Sequence, residues 1–453
     1  MNNKNNKHNM DMTEGPIMKK LVLFSLPLMA SSILQLLFNA ADTVVVGQFA
    51  GENSLAAVGS NGALINLMTN LFMGLSVGTN VLLAKSIGAH DDKHSSDIVH
   101  TSMVISALGG VFLMVFGIFF ADDILVLMDV PEEVIGLAAE YLKIYFVGLP
   151  AMMIYNFGSA ILRAIGDTKR PLYFLTLAGV VNVGFNLLFV IKFNMDVAGV
   201  AWATVISQEV SAALIVLCLL KEKGAIHLDL KKLKIEKACL KHIVQIGLPA
   251  GFQGTLFSLS NVVIQSSVNS FGATVVAGNS AAQNLEGFVY VSMNSVHQAA
   301  LSFTSQNVGA GRYDRVGMIL RKSLLLVTVI GVGLGNAVVL FGHQLLGIYS
   351  PSEIVIEKGF IRLLWICGPY FLCGIMDVMV GVIRGMGYSI MPMIVSLIGA
   401  CGLRIFWLKT FFKMEMFHKV EMIYITYAVS WTVTFIAHVV CYNIVKRRKE
   451  SRI

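Results

Sequence analysis

The chain has 453 residues, of which 56% are hydrophobic and 13% are charged, and its mean hydropathy is +0.72. Soluble domains usually carry about 25% charged residues, so the composition excludes an ordinary soluble protein and indicates one that is embedded in lipid. The formal net charge of +7 does not predict a nucleic-acid partner, because Lys and Arg collect in short loops between apolar segments rather than on one face.

Twelve apolar segments are long enough to cross a bilayer, since a spanning helix needs about 20 such residues. They begin near residues 20, 55, 97, 134, 171, 197, 242, 275, 318, 355, 391 and 421. We therefore predict an all-α polytopic membrane protein with twelve transmembrane helices. Its expected parts are a cytoplasmic N-terminal tail (1–19), a six-helix bundle (20–221), a cytoplasmic linker (222–241), a second six-helix bundle (242–446) and a cytoplasmic tail (447–453).

The polar start of the chain and its cysteines suggest no processing and no metal centre. The first 19 residues lack the basic, apolar and small-residue pattern of a secretory signal. The six cysteines show neither a CxxC pair nor zinc-ligand spacing, so we predict no disulfide framework and no metal site.

Basic residues in alternate loops predict the orientation in the membrane. By the positive-inside rule these loops, and both termini, are expected in the cytoplasm; the residues are Lys93, Lys169, Arg170, Arg312, Arg315 and the run Lys446–Lys449. The lysines at 409, 413 and 419 fit this rule poorly, because they would be external.

A weak internal repeat divides the chain at the polar stretch Lys221–His242, which contains seven lysines. The matched landmarks keep their order on both sides; they are Pro27 with Pro249, Asn39 with Asn261, Gly88 with Gly309, Pro150 with Pro369, Arg163 with Arg384, and Pro171 with Pro392. Six helices per half make these parallel, pseudo-symmetric repeats, for which the expected substrate site is a cavity between the halves.

Asp42 is the one acid within the apolar sequence of helix 1. A charged group there costs about 2.5 to 3.5 kcal/mol on insertion scales, so we interpret it as functional, although an interfacial acid is the alternative. Pro27 removes a backbone donor and can bend the same helix. Asn182 and Asn186 lie one turn apart on helix 5, where they either line a polar pocket with Asp42 or only join helices.

The second half contains its own polar set. Asp377 is the repeat equivalent of Asn156, because each stands seven residues before a matched arginine. A structural Asp–Arg pair is the alternative to a carboxylate that binds substrate. The candidates for the substrate cavity in both halves are Gln35, Asn39, Gln253, Gln283, Glu286, Asp377 and Arg404.

Motifs of common enzymes are missing from the sequence. It has no G-x-x-x-x-G-K-[ST] phosphate loop, no HExxH and no GxSxG, so we predict neither ATP use through that device nor hydrolysis. We expect no enzyme and no cofactor.

Taken together, the landmarks resemble the multidrug and toxic compound extrusion (MATE) family of the MOP flippase superfamily. The resemblance rests on LP followed by NAADTVVVG in helix 1, ILRAIGDTKRP after helix 4, NVGFN in helix 5, GVAWAT in helix 6 and VIRGMGYSIMP in the second half. It implies two bundles around a central V-shaped cleft, in the cytoplasmic membrane, and a functional monomer. It also implies export of amphipathic organic cations in exchange for H+ or Na+.

The resemblance further assigns an ion-coupling network to the first half, consisting of Asp42, Asn156, Asn182, Asn186 and Thr204. Many relatives carry Asp where this chain has Asn186, which weakens the expectation of a tight Na+ site and leaves proton coupling as the simpler proposal. Two other functions stay open. A flippase for lipid-linked saccharides should have a basic cavity, and intramembrane Arg is scarce here, with Arg404 the clearest case. A passive channel should show a filter motif.

Overall fold

The computed structural model describes residues 10–128 and 130–450, so the outer parts of the predicted tails lie outside the described residues. Within these ranges every regular element is a helix. The helices of the first half are α1 (Ile17–Phe49), α2 (Glu52–Gly88), α3 (Asp92–Leu127), α4 (Glu132–Val147), α5 (Leu149–Ala164), α6 (Lys169–Asn186) and α7 (Asp196–Lys221).

The second half repeats this order with additional breaks. Its helices are α8 (Lys237–Asn269), α9 (Ala273–Gly309), α10 (Tyr313–Leu340), the short α11 (Gly342–Gly347), α12 (Glu353–Cys367), α13 (Phe371–Gly385), α14 (Ile390–Ser396), α15 (Leu403–Lys409) and α16 (Val420–Glu450). The pair α4 and α5 is bent by 47°, and the matching pair α12 and α13 by 44°. A π-helical turn follows α6 at Leu187–Lys192, and another joins α14 to α15 at Leu397–Gly402.

The described helices account for the predicted twelve spans. Eight are long and apolar enough to cross a membrane. Counting each of the two bent pairs as one span brings the number up to 10. The remaining two, α8 and α9, are more polar, but they have the same lengths as α1 and α2, 33 and 37 residues respectively. The all-α, twelve-helix fold is therefore confirmed.

The chain forms two compact units that do not follow the linear halves of the sequence. Unit 1 consists of Ala30–Gly251 and the described residues before Met12, whereas unit 2 contains Met12–Met29 and the described residues from Phe252 onward. Each unit therefore includes the first part of one helix from the other half of the sequence. In both helices the change of unit falls two residues after the matched proline, Pro27 or Pro249.

In unit 1, α2 and the first part of α8 approach so closely that glycine is required at the crossing. A Cβ atom on Gly74 would lie 2.2 Å from the backbone nitrogen of Gly251, and one on Gly78 would lie 2.3 Å from the backbone oxygen of Ile243. Gly247 and Gly251 of α8 meet the backbone of α2 in the same way. Small residues at this spacing let helix backbones pack together in lipid, so this crossing holds the first part of α8 within unit 1.

In unit 2, the first part of α1 packs on α9. The rings of Phe24 and Phe303 meet edge to face at 5.6 Å. The backbone nitrogen of Met12 donates to Gln306 at 3.1 Å, and Asn307 donates to the backbone oxygen of Met12 at 2.9 Å. Met12 itself is fully buried. The segment before α1 is thus ordered by hydrogen bonds as well as by apolar contact.

The linker before α8 is held against α3. The backbone nitrogen of Asp229 donates to His100 at 3.1 Å, and that of Glu236 donates to the Thr101 hydroxyl at 3.0 Å. Lys234 pairs with Asp97 at 2.8 Å, and this partner raises the pKa of the lysine. The polar composition of this segment predicts a linker, but it does not predict these contacts with α3.

Candidate ion-coupling and substrate sites

The predicted coupling residues of the first half form a chain of hydrogen bonds across three helices. The amide nitrogen of Asn186 on α6 donates to the carboxylate of Asp42 on α1, and also contacts the side-chain oxygen of Asn182 at 3.3 Å. Asn182 in turn donates to the hydroxyl of Thr204 on α7 at 3.4 Å. The four residues therefore occupy one site within unit 1, although Asp42 is separated from Asn186 by 144 positions in the sequence.

The geometry of α6 explains the placement of the two amides. Residues four apart lie on one helix face, so Asn182 and Asn186 point the same way, and both are buried. The π-helical turn begins at Leu187, immediately after the second amide. Such turns are frequent at functional sites, and here the turn marks the end of the polar face.

The carboxylate of Asp42 has only neutral donors around it. It forms no ion pair with any described residue, and the side-chain oxygen of Asn186 is a buried acceptor without a hydrogen-bond partner. The amide group of Asn186 faces Asp42 with its nitrogen, so the carboxylate is the charged acceptor at this site. A carboxylate in this position can take up a proton or serve as a ligand to a small cation.

Other predicted residues of the first half lie apart from this chain. Asn156 donates to the backbone oxygen of Met152 in its own helix at 2.8 Å, and Gln35 and Asn39 are exposed on α1. Pro27 lies inside α1, which continues through it from Ile17 to Phe49.

Two tyrosines near Asp42 were not predicted. Tyr141 and Tyr145 of α4 stack with their ring centroids 6.1 Å apart, and both lie close enough to Asp42 to interact with its charge. Their spacing of one turn on an apolar helix is a usable signal, but only the fold brings α4 next to α1.

In the second half, Glu286 is engaged by a residue that the sequence analysis missed. Arg362 of α12 donates to both carboxylate oxygens of Glu286, at 2.7 and 2.8 Å, and to the side-chain oxygen of Asn279 at 2.7 Å. The hydroxyl of Tyr424 completes the cluster by donating to Asn279 at 3.2 Å. Arg362 is only 3% exposed. This bidentate, fully hydrogen-bonded pair joins α9, α12 and α16 as a structural contact.

Asp377 has a different environment from Glu286. It forms no ion pair with a described residue, although Arg384 of the same helix lies within electrostatic range. Arg384 instead donates to Gln253 at 2.6 Å. His297 of α9 donates from Nδ1 to the backbone oxygen of Asp377 at 2.6 Å. Gln283 is exposed on α9, so these candidates do not form one connected network.

Arg404 on α15 packs against aromatic rings. Its guanidinium carbon lies 4.1 Å from the ring centroid of Tyr427 and 5.5 Å from that of Trp431. Its Nε donates to the hydroxyl of Ser430 at 2.8 Å. The sequence analysis therefore underestimated the number of buried arginines in unit 2. Three arginines there are at most 7% exposed, namely Arg362, Arg384 and Arg404. Among the described residues, no cluster of three or more His, Cys, Asp or Glu side chains could hold a metal ion.

Comparisons with known proteins agree with this architecture. The family model described as MatE matches residues 27–188 and 249–407, one match in each half of the repeat. The chain is 27% identical over 443 residues to the probable multidrug resistance protein YoeA of Bacillus subtilis (strain 168), covering 96% of this chain and 95% of the relative.

A second relative and a solved structure extend the likeness. The probable multidrug resistance protein YpnP of Bacillus subtilis (strain 168) is 30% identical over 394 residues, with 87% of this chain and 88% of the relative covered. The structure described as the outward-facing conformation of a multidrug resistance MATE family transporter of the MOP superfamily superposes with a TM-score of 0.90 at 22% identity, covering 98% of this chain and all of that one (100%).

Proposed function

Because the chain belongs to the MatE family, the MATE transporters of the MOP superfamily, we propose that it is a secondary active antiporter. Its proposed substrates are amphipathic organic cations, which it exports in exchange for H+ or Na+. Relatives named as multidrug resistance proteins support efflux of small molecules as the general activity of this multi-pass membrane protein.

The observation that carries the proposal is the Asp42 site. An acid in a spanning helix that is bonded to Asn186, without a basic partner among the described residues, has no structural reason to be charged. Intramembrane acids of this kind commonly belong to proton or ion pathways. In the proposed mechanism the ionised carboxylate favours a bound cation, whereas protonation from outside neutralises it and favours release of substrate. Coupling requires only that the two states differ in affinity for the substrate.

Proton exchange is the simpler version of this mechanism. The amide of Asn186 is neutral, so the chain of Asp42, Asn182, Asn186 and Thr204 contains a single carboxylate. A hard cation such as Na+ binds through several oxygen ligands, and each missing charge weakens such a site. One carboxylate is, however, enough to take up and release one proton.

The proposed orientation places both termini and the anchored linker in the cytoplasm, because basic residues collect in those loops. The transporter would act as a monomer in the cytoplasmic membrane.

The test is efflux of ethidium from proteoliposomes under an imposed pH gradient or an imposed Na+ gradient. Asp42→Asn keeps the size of the side chain but cannot take up a proton. We expect the wild type to respond to the pH gradient and Asp42→Asn to lose gradient-driven efflux. Asp122→Asn is the matched control, since Asp122 is 62% exposed and pairs with Lys143 at the surface; it should retain full activity.

Size-exclusion profiles of both variants establish that each is folded before transport is compared. Full gradient-driven efflux by Asp42→Asn would refute the mechanism. No ethidium transport by the wild type under either gradient would refute the function and favour a flippase for lipid-linked saccharides.

A further inference from the structure

The linker before α8 has three apolar side chains on its surface. Leu230 is 58% exposed, and Leu233 and Ile235 are each 42% exposed. Leu230 opens a 3₁₀ turn, in which side chains three residues apart lie on one side, so Leu230 and Leu233 are neighbours. The side chain of Lys234 reaches Asp97 of α3. Because side chains alternate along an extended chain, Leu233 and Ile235 on either side of this lysine point away from α3.

The same segment is strongly basic. Residues 221–242 contain seven lysines and only three acids. Lys232 and Lys234 have acidic partners within unit 1. Lys231 and Lys237, in contrast, are exposed and form no ion pair with a described residue. The linker therefore combines exposed apolar side chains with two cations that are available to an anionic partner.

The position of the linker along α3 places it beside the headgroups of the bilayer. This helix has 36 residues, so it is longer than a hydrocarbon core of about 30 Å requires. Its polar start gives way to apolar sequence at Met103. The backbone nitrogens of Asp229 and Glu236 donate to His100 and Thr101, immediately before that change. The linker is thus held at the boundary between the polar and the apolar part of α3.

The face of α3 that holds the linker continues as an exposed apolar surface. Asp97 and Thr101 lie one turn apart on this face. The same stripe continues two turns further on with Leu108 and Phe112, and both are more than half exposed. Exposed apolar surface of this kind marks contact with a membrane or a partner, and on a spanning helix it faces lipid. The linker therefore borders lipid.

We propose that the linker is a binding surface for anionic phospholipid. Its apolar part inserts between the headgroups and consists of Leu230, Leu233 and Ile235. Its cationic part, Lys231 and Lys237, pairs with the lipid phosphates. Burial of apolar side chains and attraction to anionic lipid are the two effects that bind a segment at a membrane surface. The inference goes beyond the export function, because the linker contains none of the proposed coupling residues.

The test places the photo-crosslinking amino acid p-benzoylphenylalanine at the position of Leu233 in the full chain. The protein is reconstituted in nanodiscs that contain phosphatidylcholine and phosphatidylglycerol in equal amounts. After illumination, mass spectrometry identifies the lipid that is attached to the linker peptide. We expect lipid adducts in which phosphatidylglycerol is favoured about fivefold, the preference that one basic side chain near the surface provides. The same replacement of Leu230 is a second probe with the same expected result.

Charge variants test the cationic part. Lys231→Gln combined with Lys237→Gln should retain the lipid adducts but bring the ratio of the two lipids close to one. Lys409→Gln combined with Lys419→Gln is the matched control, because these exposed lysines belong to unit 2. This control should keep the fivefold preference. A preference that survives the loss of Lys231 and Lys237 would overturn the proposal.

A third probe at the position of Phe112 lies deeper on the same face of α3. It should give adducts with both lipids in equal amounts, because no lysine of the linker is near it. The same ratio at positions 112 and 233 would overturn a site on the linker. Absence of lipid adducts from the linker, or crosslinks to a second copy of the chain, would also overturn the proposal. Crosslinking requires no transport, so its failure is distinct from a failure of the proposed function.

Discussion

At the scale of single residues, the proposed mechanism gives Asn186 the choice between H+ and Na+ at the Asp42 site. It donates to Asp42 through its amide nitrogen, and its oxygen is buried without a partner. Asn186→Asp would place a second carboxylate beside the first at nearly constant volume. Two adjacent carboxylates repel each other unless a cation or a proton lies between them. We therefore predict that Asn186→Asp shifts ethidium efflux from dependence on the pH gradient toward dependence on Na+.

The comparison is made in the same proteoliposomes with each gradient alone. Asn186→Leu serves as the control, because it removes the hydrogen bond to Asp42 without adding charge. It should reduce efflux under the pH gradient and create no response to the Na+ gradient. Efflux by Asn186→Asp that remained insensitive to Na+ would contradict the role of this position in ion choice.

A second residue-scale prediction concerns Glu286 and Arg362. Removing one partner of a buried ion pair commonly costs about 3 to 5 kcal/mol, because the remaining charge is uncompensated. Glu286→Gln should therefore lower the apparent melting temperature in detergent clearly. Asp122→Asn, which removes the exposed pair with Lys143, should change stability by less than about 1 kcal/mol. Equal melting temperatures for the two variants would argue against the structural role of Glu286.

At the scale of helices, the glycine crossing of α2 and α8 sets how closely these elements pack. A methyl group at Gly74 would contact the backbone of Gly251, and such overpacking usually costs about 1 to 3 kcal/mol. Gly74→Ala should lower the melting temperature measured by fluorescence-detected size exclusion. Gly62→Ala in the same helix has no atom within 4 Å of the new Cβ, so it should be neutral or slightly stabilising. The opposite order of the two variants would exclude a tight crossing.

At the scale of the whole molecule, the composition of the two units predicts how the chain can be divided. The first part of α8 belongs to unit 1, and Met12–Met29 belong to unit 2. A fragment of residues 1–223 lacks α8, so the glycine face of α2 would be unpacked. We predict that it accumulates poorly in membranes when it is expressed alone and better when residues 224–453 are co-expressed.

A longer fragment provides the control for this division. Residues 1–272 include all of α8 and should accumulate more than residues 1–223, as judged by immunoblots of membrane fractions. Equal amounts of both fragments would show that α8 contributes nothing to the stability of unit 1.

The sequence by itself indicated that the protein is surrounded by lipid, that its spanning segments are helices and that its two halves are related. Apolar segments that are long enough to span a bilayer form helices, because a helix bonds every backbone polar group within its own element. The spacing of Asn182 and Asn186 placed both amides on one face, and Asp42 was conspicuous because acids are rare in spanning helices. These conclusions depend on local pattern and composition alone.

Only the tertiary structure decided which of these polar groups meet. The sequence analysis selected Glu286 and Arg404 but not Arg362, because only the fold places Arg362 against Glu286. Likewise, the exchange of half-helices at Pro27 and Pro249 depends on contacts between residues far apart in the chain. Periodicity specifies the face on which a side chain lies, but its partner is set by long-range packing, which a single sequence does not encode in any local pattern.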